Sequence, residues 1–222
     1  FALVDALLRR DDEERENEAI EMLTAAHQET GNYRFKLRVG DVRMKQFNRR
    51  IRAVRAKIKE DGETDELRGR LRKLRIAQLR FELVEYGERA ETYPTDMAIR
   101  YELGRRQFEA GDNDAAIASL QQAQEDAKSR APALRYLGRA FKAKEWHDEA
   151  IDTFRRGIDA LGGAGGRLSL DLNYELMTAL VAKAERDRDA EAADEAAKIA
   201  SQIAQTDINY RDIRDRVDAL RN

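Results

Sequence analysis

The chain has 222 residues, 42% of them apolar and 38% charged, which is enough apolar content for a core and too much charge for a membrane span. No stretch approaches the roughly 18 uncharged apolar residues that a spanning helix needs. There is no cysteine, which excludes disulfides, thiolate metal sites and a cysteine nucleophile, and the net charge of −2 conceals a strong segregation along the chain.

The first 32 residues carry 3 basic and 9 acidic side chains. "FALVDALLRR" reads as a short helix, and "NEAIEMLTAAHQETGN" (17–32) as a second, with Ala19, Leu23 and Ala26 alternating small, large and small. The chain begins at Phe1 without an initiator Met, so targeting is not legible and the cytoplasm is only the default compartment. The shortness of the first helix predicts further helices of the same kind upstream.

Residues 33–80 reverse the sign, with 17 basic and 6 acidic side chains. Met44, Phe47, Ile51, Val54 and Ile58 follow a 3-4-3-4 spacing, and Leu67, Leu71, Leu74 and Phe81 continue the stripe on the way back, with Gln78 interrupting it. Between them "EDGET" supplies the turn, with Gly62 free to adopt positive φ and Thr64 as a candidate N-cap. The pattern predicts an antiparallel coiled-coil hairpin. Its outer faces carry Arg49, Arg50, Arg52, Arg55, Lys57 and Lys59 outbound and Arg68, Arg70, Arg72, Lys73 and Arg75 inbound. Charges that only kept the hairpin soluble would be of mixed sign; a single-sign bias points to a partner.

The next segment repeats itself. "YELGRRQFEAGDNDAAIASLQQAQ" (101–124) is followed at an offset of 34 by "RYLGRAFKAKEWHDEAIDTFRRGI" (135–158). Leu103-Gly104 aligns with Leu137-Gly138, Ala116 with Ala150, Ile117 with Ile151, Leu120 with Phe154 and Ala123 with Gly157. Small residues at these places suit two helices that cross closely, and large apolar ones fill the gaps beside them. The pattern resembles the tetratricopeptide repeat: a Leu-Gly in helix A, a Gly at the turn (Gly111, replaced by Glu145 in the second copy), an Ala in helix B and a Phe or Leu one turn on. That resemblance implies an all-α fold, a right-handed α-solenoid of helical hairpins.

On this register residues 1–32 are a first hairpin truncated at its start, 33–95 an extended hairpin carrying the basic arm, and 96–130 and 131–166 two regular repeats, the second ending in the connector "GGAGG". Counting one period back from Ala116 gives Glu82, which lies 63 residues after Ala19, 29 more than one period. Shared between two helices, 29 residues extend the arm by roughly 20 Å. Residues 167–206 form a lengthened repeat without the Leu-Gly pair, using Tyr174, Leu176 and Leu180 in helix A and Ala196, Ala200 and Ile203 in helix B. Residues 207–222 place Ile213, Val217 and Leu220 on one stripe, as a helix that caps the last apolar face.

Catalytic chemistry finds no footing. The two histidines, His27 and His147, have no ligand partner at metal-binding spacing, and "GGAGG" lacks the Lys and Ser/Thr of a phosphate loop. No cofactor is called for and the chain is read as a non-enzymatic scaffold or adaptor. The resemblance implies a groove on the A helices, and by register its lining includes Tyr101, Arg105, Phe108, Arg135, Arg139, Lys142 and Tyr174, a set that suits an extended or helical peptide with an acidic segment. The Asn residues of a chaperone-tail clamp are absent. The alternatives are nucleic acid or an anionic surface on the basic arm, ranked lower because the arm lacks interleaved aromatics, and self-association of the arm with the acidic body of another copy.

Overall fold

A computed structural model describes residues 2–9 and 12–221 and, among them, eleven α-helices and no strand. They fall into two units, Phe1–Arg89 and Ala90–Asn222.

The first unit contains α1 (Ala2–Leu8), α2 (Glu13–Thr30), α3 (Tyr33–Asp61) and most of α4 (Asp65–Thr92). Asp12 caps α2 by accepting the Glu14 N–H at 3.0 Å, and Asn32 caps α3 by accepting the Arg34 N–H at 3.0 Å. Val4, Ala19, Leu23 and Val39 bury a small core among α1, α2 and α3. The 29 and 28 residues of α3 and α4 form the long hairpin that the apolar stripe predicts. Ile51 and Val54 are buried in its seam, and Phe47 meets Phe81 at 5.8 Å between ring centres. Gln78, the residue that breaks the stripe, donates to Asn48 at 3.0 Å and to Glu82 at 2.8 Å, so the interruption is a polar layer across the seam.

At the base of this hairpin Gly40 of α3 sits against α4. A Cβ there would collide with the Glu85 carboxyl and lie 2.8 Å from Arg89 Nη2. Gly104 stands in the same relation to Leu120, and Gly138 to Phe154, each partner sixteen residues further on, whereas Gly40 and Glu85 are 45 apart. The surplus of 29 residues is the arm. Glu85 to Leu120 spans 35 residues, so Phe81 rather than Glu82 takes the place of Ala116. The additional residue lies in a stretch that contains the "TYPTD" turn.

The second unit contains α5 (Met97–Glu109), α6 (Asn113–Ala123), α7 (Arg130–Ala143), α8 (His147–Asp159), α9 (Arg167–Asp187), α10 (Ala190–Thr206) and α11 (Ile213–Arg221). Each helix packs on the next in sequence, and α5 also meets α7, as α7 meets α9. That second set of contacts stacks A helix on A helix and makes an all-α solenoid of hairpins. Ala116 and Ala150 are fully buried. A Cβ on Gly104 would lie 2.7 Å from Leu120 Cγ, and one on Gly138 2.5 Å from Phe154 Cε1. The turns between A and B helices each use one left-handed residue: Gly111 at φ 85°, Glu145 at 62° and Arg188 at 57°. Glu145 thus adopts the conformation of the glycine it replaces, at a cost of about 1–2 kcal/mol. At the end, Ile213 is fully buried, and Val217 and Leu220 pack on the core of α9 and α10.

Substituting Gly138→Leu or Ala150→Leu should lower stability by about 1–3 kcal/mol or more through overpacking. Glu125→Leu, at an exposed position, should be nearly neutral. Equal denaturation midpoints for the three variants would contradict the close crossing.

Candidate functional site

In the second unit the A helices α5, α7 and α9 bring most of the predicted groove residues onto one face. Tyr136 of α7 is its aromatic centre, with Tyr101 at 6.2 Å and Phe108 at 5.9 Å, both edge-on. The Arg139 guanidinium lies 4.7 Å from the Phe108 ring centre and 5.2 Å from that of Tyr136, and Arg135 lies 5.6 Å from the latter. Burial pushes the Tyr101 hydroxyl pKa above its ordinary value, against the pull of nearby arginines including Arg105 and Arg135. Tyr136 is absent from the residues the repeat register selects, because it sits one position beyond Arg135. Its aromatic character in a helix otherwise rich in Ala and Arg was the available signal.

The cations of this face have carboxylate partners within the chain. Arg135 reaches Asp171 at 3.4 Å, Arg139 reaches Glu175 at 3.6 Å, and Lys142 reaches Glu175 at 2.8 Å and Thr178 Oγ1 at 2.9 Å. Arg105 pairs with Glu102 of its own helix at 3.0 Å. Arg211 adds to the α9 cluster at 2.9 Å from Asp171 and 3.8 Å from Glu175, and Arg167 at 3.8 Å from Asp171. Five cations therefore share two carboxylates, and the cluster keeps a positive surplus.

Tyr174 is placed differently from the other groove residues. It is buried under the turn before α11: its hydroxyl donates to Asp212 at 2.6 Å, Tyr210 stands edge-on at 5.7 Å, and the Arg211 guanidinium lies 4.4 Å from its ring centre. Tyr210, itself almost fully buried, donates its hydroxyl to Asp171. The residues preceding the capping helix thus occupy the α9 end of the face, and the open part spans α5 and α7.

In the first unit the arm's cations divide into two groups. Arg49 gives both terminal nitrogens to Glu16 at 2.8 and 2.6 Å, Lys45 approaches the same carboxylate at 3.2 Å, and Arg50 pairs with Glu13. These contacts fasten the arm's base to α2. Arg68 pairs near the tip with Glu63 at 3.3 Å. Arg52, Arg55, Lys57, Lys59, Arg70, Arg72, Lys73 and Arg75 are exposed and make no ion pair among the described residues. A second internal network surrounds Arg89, which donates to Glu85 at 2.8 Å, Asp41 at 2.9 Å and the Leu37 carbonyl at 3.1 Å. Burial alone would lower the Arg89 pKa, but these carboxylates hold it above its usual value.

Among the described residues no group of His, Cys, Asp and Glu could hold a metal ion, and no helix is long and apolar enough to cross a membrane. His27 Nδ1 faces the Asn32 carbonyl oxygen at 3.0 Å at the end of its own helix.

Stacked helical hairpins, glycine crossings and a capping helix define the fold of a tetratricopeptide-type repeat protein. The crystal structure of MamA is similar at a TM-score of 0.50 and 22% identity, covering 79% of this chain and 95% of that one. A second crystal structure of MamA gives 0.48 and 23%, covering 75% and 97%. A Podosopora anserina putative kinesin light chain with nearly identical TPR-like repeats gives 0.46 and 17%, covering 93% and 95%. No family model matches the chain, and no curated protein matches it.

The bonds from Arg49 outweigh the effect of burial and hold the Glu16 carboxyl below its ordinary pKa of 4.5. A depressed carboxyl stabilises the fold fully above its unfolded value and loses that contribution as pH falls through the folded one. Glu16→Gln should therefore cost about 2 kcal/mol at neutral pH and flatten the loss of stability seen on acidification below 4.5. Denaturant titrations of both proteins at the two pH values measure this, and parallel pH profiles would exclude it.

Proposed function

We propose that the chain is a non-enzymatic protein-interaction scaffold whose A-helix face in the second unit binds a peptide segment bearing carboxylates. The observation that carries this reading is the cation surplus beside an aromatic patch. Five cations share Asp171 and Glu175, while Tyr101, Phe108 and Tyr136 offer a half-buried surface on which the apolar part of a peptide can rest. The aromatics supply contact area and the guanidiniums supply direction, since Arg binds carboxylates in a planar fork.

The internal pairing dictates how the site is tested. Reversing Arg135 to Glu would set it against Asp171 and disturb the fold, so charge should be removed rather than reversed. Arg105→Gln with Arg139→Gln removes both charges and keeps a polar side chain at each position. The wild type should enrich acidic members of a displayed peptide library, and the double variant should bind the enriched peptides about tenfold or more weakly with unchanged helix content. Enrichment of basic or uncharged peptides, or equal binding by the variant, would overturn the reading.

The basic arm supports a second reading, contact with an anionic partner, because eight of its cations are exposed and make no ion pair among the described residues. A protein surface is favoured over nucleic acid. Phe47, the one aromatic between Arg43 and Leu79, packs on Phe81 in the seam and offers no platform for a base. Nucleic acid binding would appear as a log–log salt slope near −0.9 for each engaged cation on duplex DNA, about −5 for six. A slope much shallower than this, measured with a generic duplex, is the expected outcome.

A further inference from the structure

We propose that a second copy of this chain docks on the outer face of α4, and that the surface it brings is the outer face of α2. The inference lies within the first unit and does not rest on the peptide-binding reading of the second.

The two faces are complementary in sign, length and apolar content. On α2, the side opposite the buried Glu16, Ala19 and Leu23 carries Glu14, Glu18, Glu21 and Glu29, with Met22 between them. All five are exposed, and none of the four carboxylates makes an ion pair among the described residues. On α4, the side opposite the seam residues Leu71, Leu74 and Phe81 carries Arg72, Lys73 and Arg80, all exposed and without an ion pair among the described residues. Beside them stand Ile76, 43% exposed, and Val84, 64% exposed, against 37% for Met22. Helical spacing puts Lys73, Ile76, Arg80 and Val84 on one stripe, just as it does Glu14, Glu18 and Glu21. The stripe from Gly69 to Val84 and that from Glu14 to Glu29 each run about 22 Å. A Cβ added at Gly69 would meet nothing within 4 Å, so a partner helix can approach closely there.

The chain cannot join these surfaces to each other. α2 turns its other face to α3, and α4 turns its seam to the same helix, so both outer faces point away from α3. The carboxylates of one copy are thus matched by the cations of another. The exposed apolar side chains choose between partners: Met22 gives Ile76 and Val84 something to bury against, and a nucleic acid backbone does not. Because the two surfaces differ, each docked pair leaves one of each kind unused. Association therefore continues beyond the dimer unless a rotation closes a ring.

Sedimentation velocity of the full chain tests this without any variant. The mass should exceed that of the monomer, rise with concentration at low salt, and return to the monomer at high salt. Charge reversal then tests the pairing. Lys73→Glu with Arg80→Glu, and separately Glu18→Lys with Glu21→Lys, should each weaken association about tenfold or more, since like charges then face each other. An equimolar mixture of the two variants should recover the assembly, because the reversed arm of one complements the reversed α2 of the other. A wild type that stays monomeric at low salt, a mass unchanged by either variant, or a mixture that remains monomeric would each overturn the proposal.

Discussion

The close crossing of an A helix and a B helix at a residue without a side chain is the constraint from which the rest of the architecture follows. Gly104 admits Leu120 and Gly138 admits Phe154, so two helices of a hairpin lie near enough for one large residue to fill the space between them. Gly157 repeats the device from the other side, where a Cβ would lie 2.8 Å from Leu172 Cδ2 of the following helix. A hairpin packed this way still has an apolar flank, which only another hairpin or a cap can cover. Stacking of α5, α7 and α9 is the consequence, and so is the face they present.

The same crossing explains how an arm can be inserted without disturbing a repeat. Gly40 holds the base of the hairpin in the usual relation, and everything beyond it is free to lengthen. What differs is the filler: at Gly40 the partner is not Leu or Phe but the Glu85–Arg89–Asp41 network. A buried ion pair contributes little net stability over apolar packing, yet removing one partner is costly. Its carbonyl and carboxylate acceptors satisfy Arg89 only in one alignment of α3 with α4. The Gln78–Asn48 layer further along the seam imposes the same alignment.

The solenoid was legible because its code is local. Leu-Gly, Ala and Phe at fixed offsets name their own neighbours, and a 3-4 spacing names a helix face. Glu145 shows the tolerance of that code, since a residue with the wrong chemistry still takes the turn's left-handed conformation. The arm was legible for the same reason. The base of the arm was not, because Val39-Gly40 is answered by charged residues 45 positions away rather than by an apolar one at sixteen. The A-helix face was half legible. Arg135, Arg139 and Lys142 lie together on α7, as helical spacing requires, but no rule of spacing says that Asp171 and Glu175 face them, or that Tyr210 and Arg211 cover Tyr174. Ion pairs between helices depend on how the hairpins stack, which becomes visible only once the stack is built.

These pairings separate charge used by the fold from charge left over, which composition cannot do. Segment 1–32 is acidic and segment 33–80 basic, and on those totals alone one would expect the two to neutralise each other. Among the described residues they do so in part: Glu16 and Glu13 take Arg49, Lys45 and Arg50 at the arm's base, and Asp5 takes Arg38. Helix geometry prevents the rest: a residue two positions along from a buried carboxylate points to the opposite side. Glu14 and Glu18 therefore face away from the helix that Glu16 grips. The surplus on both sides of the first unit is thus a consequence of using helices with one buried face each, and the solvent-facing charge of either sign remains available to whatever approaches it.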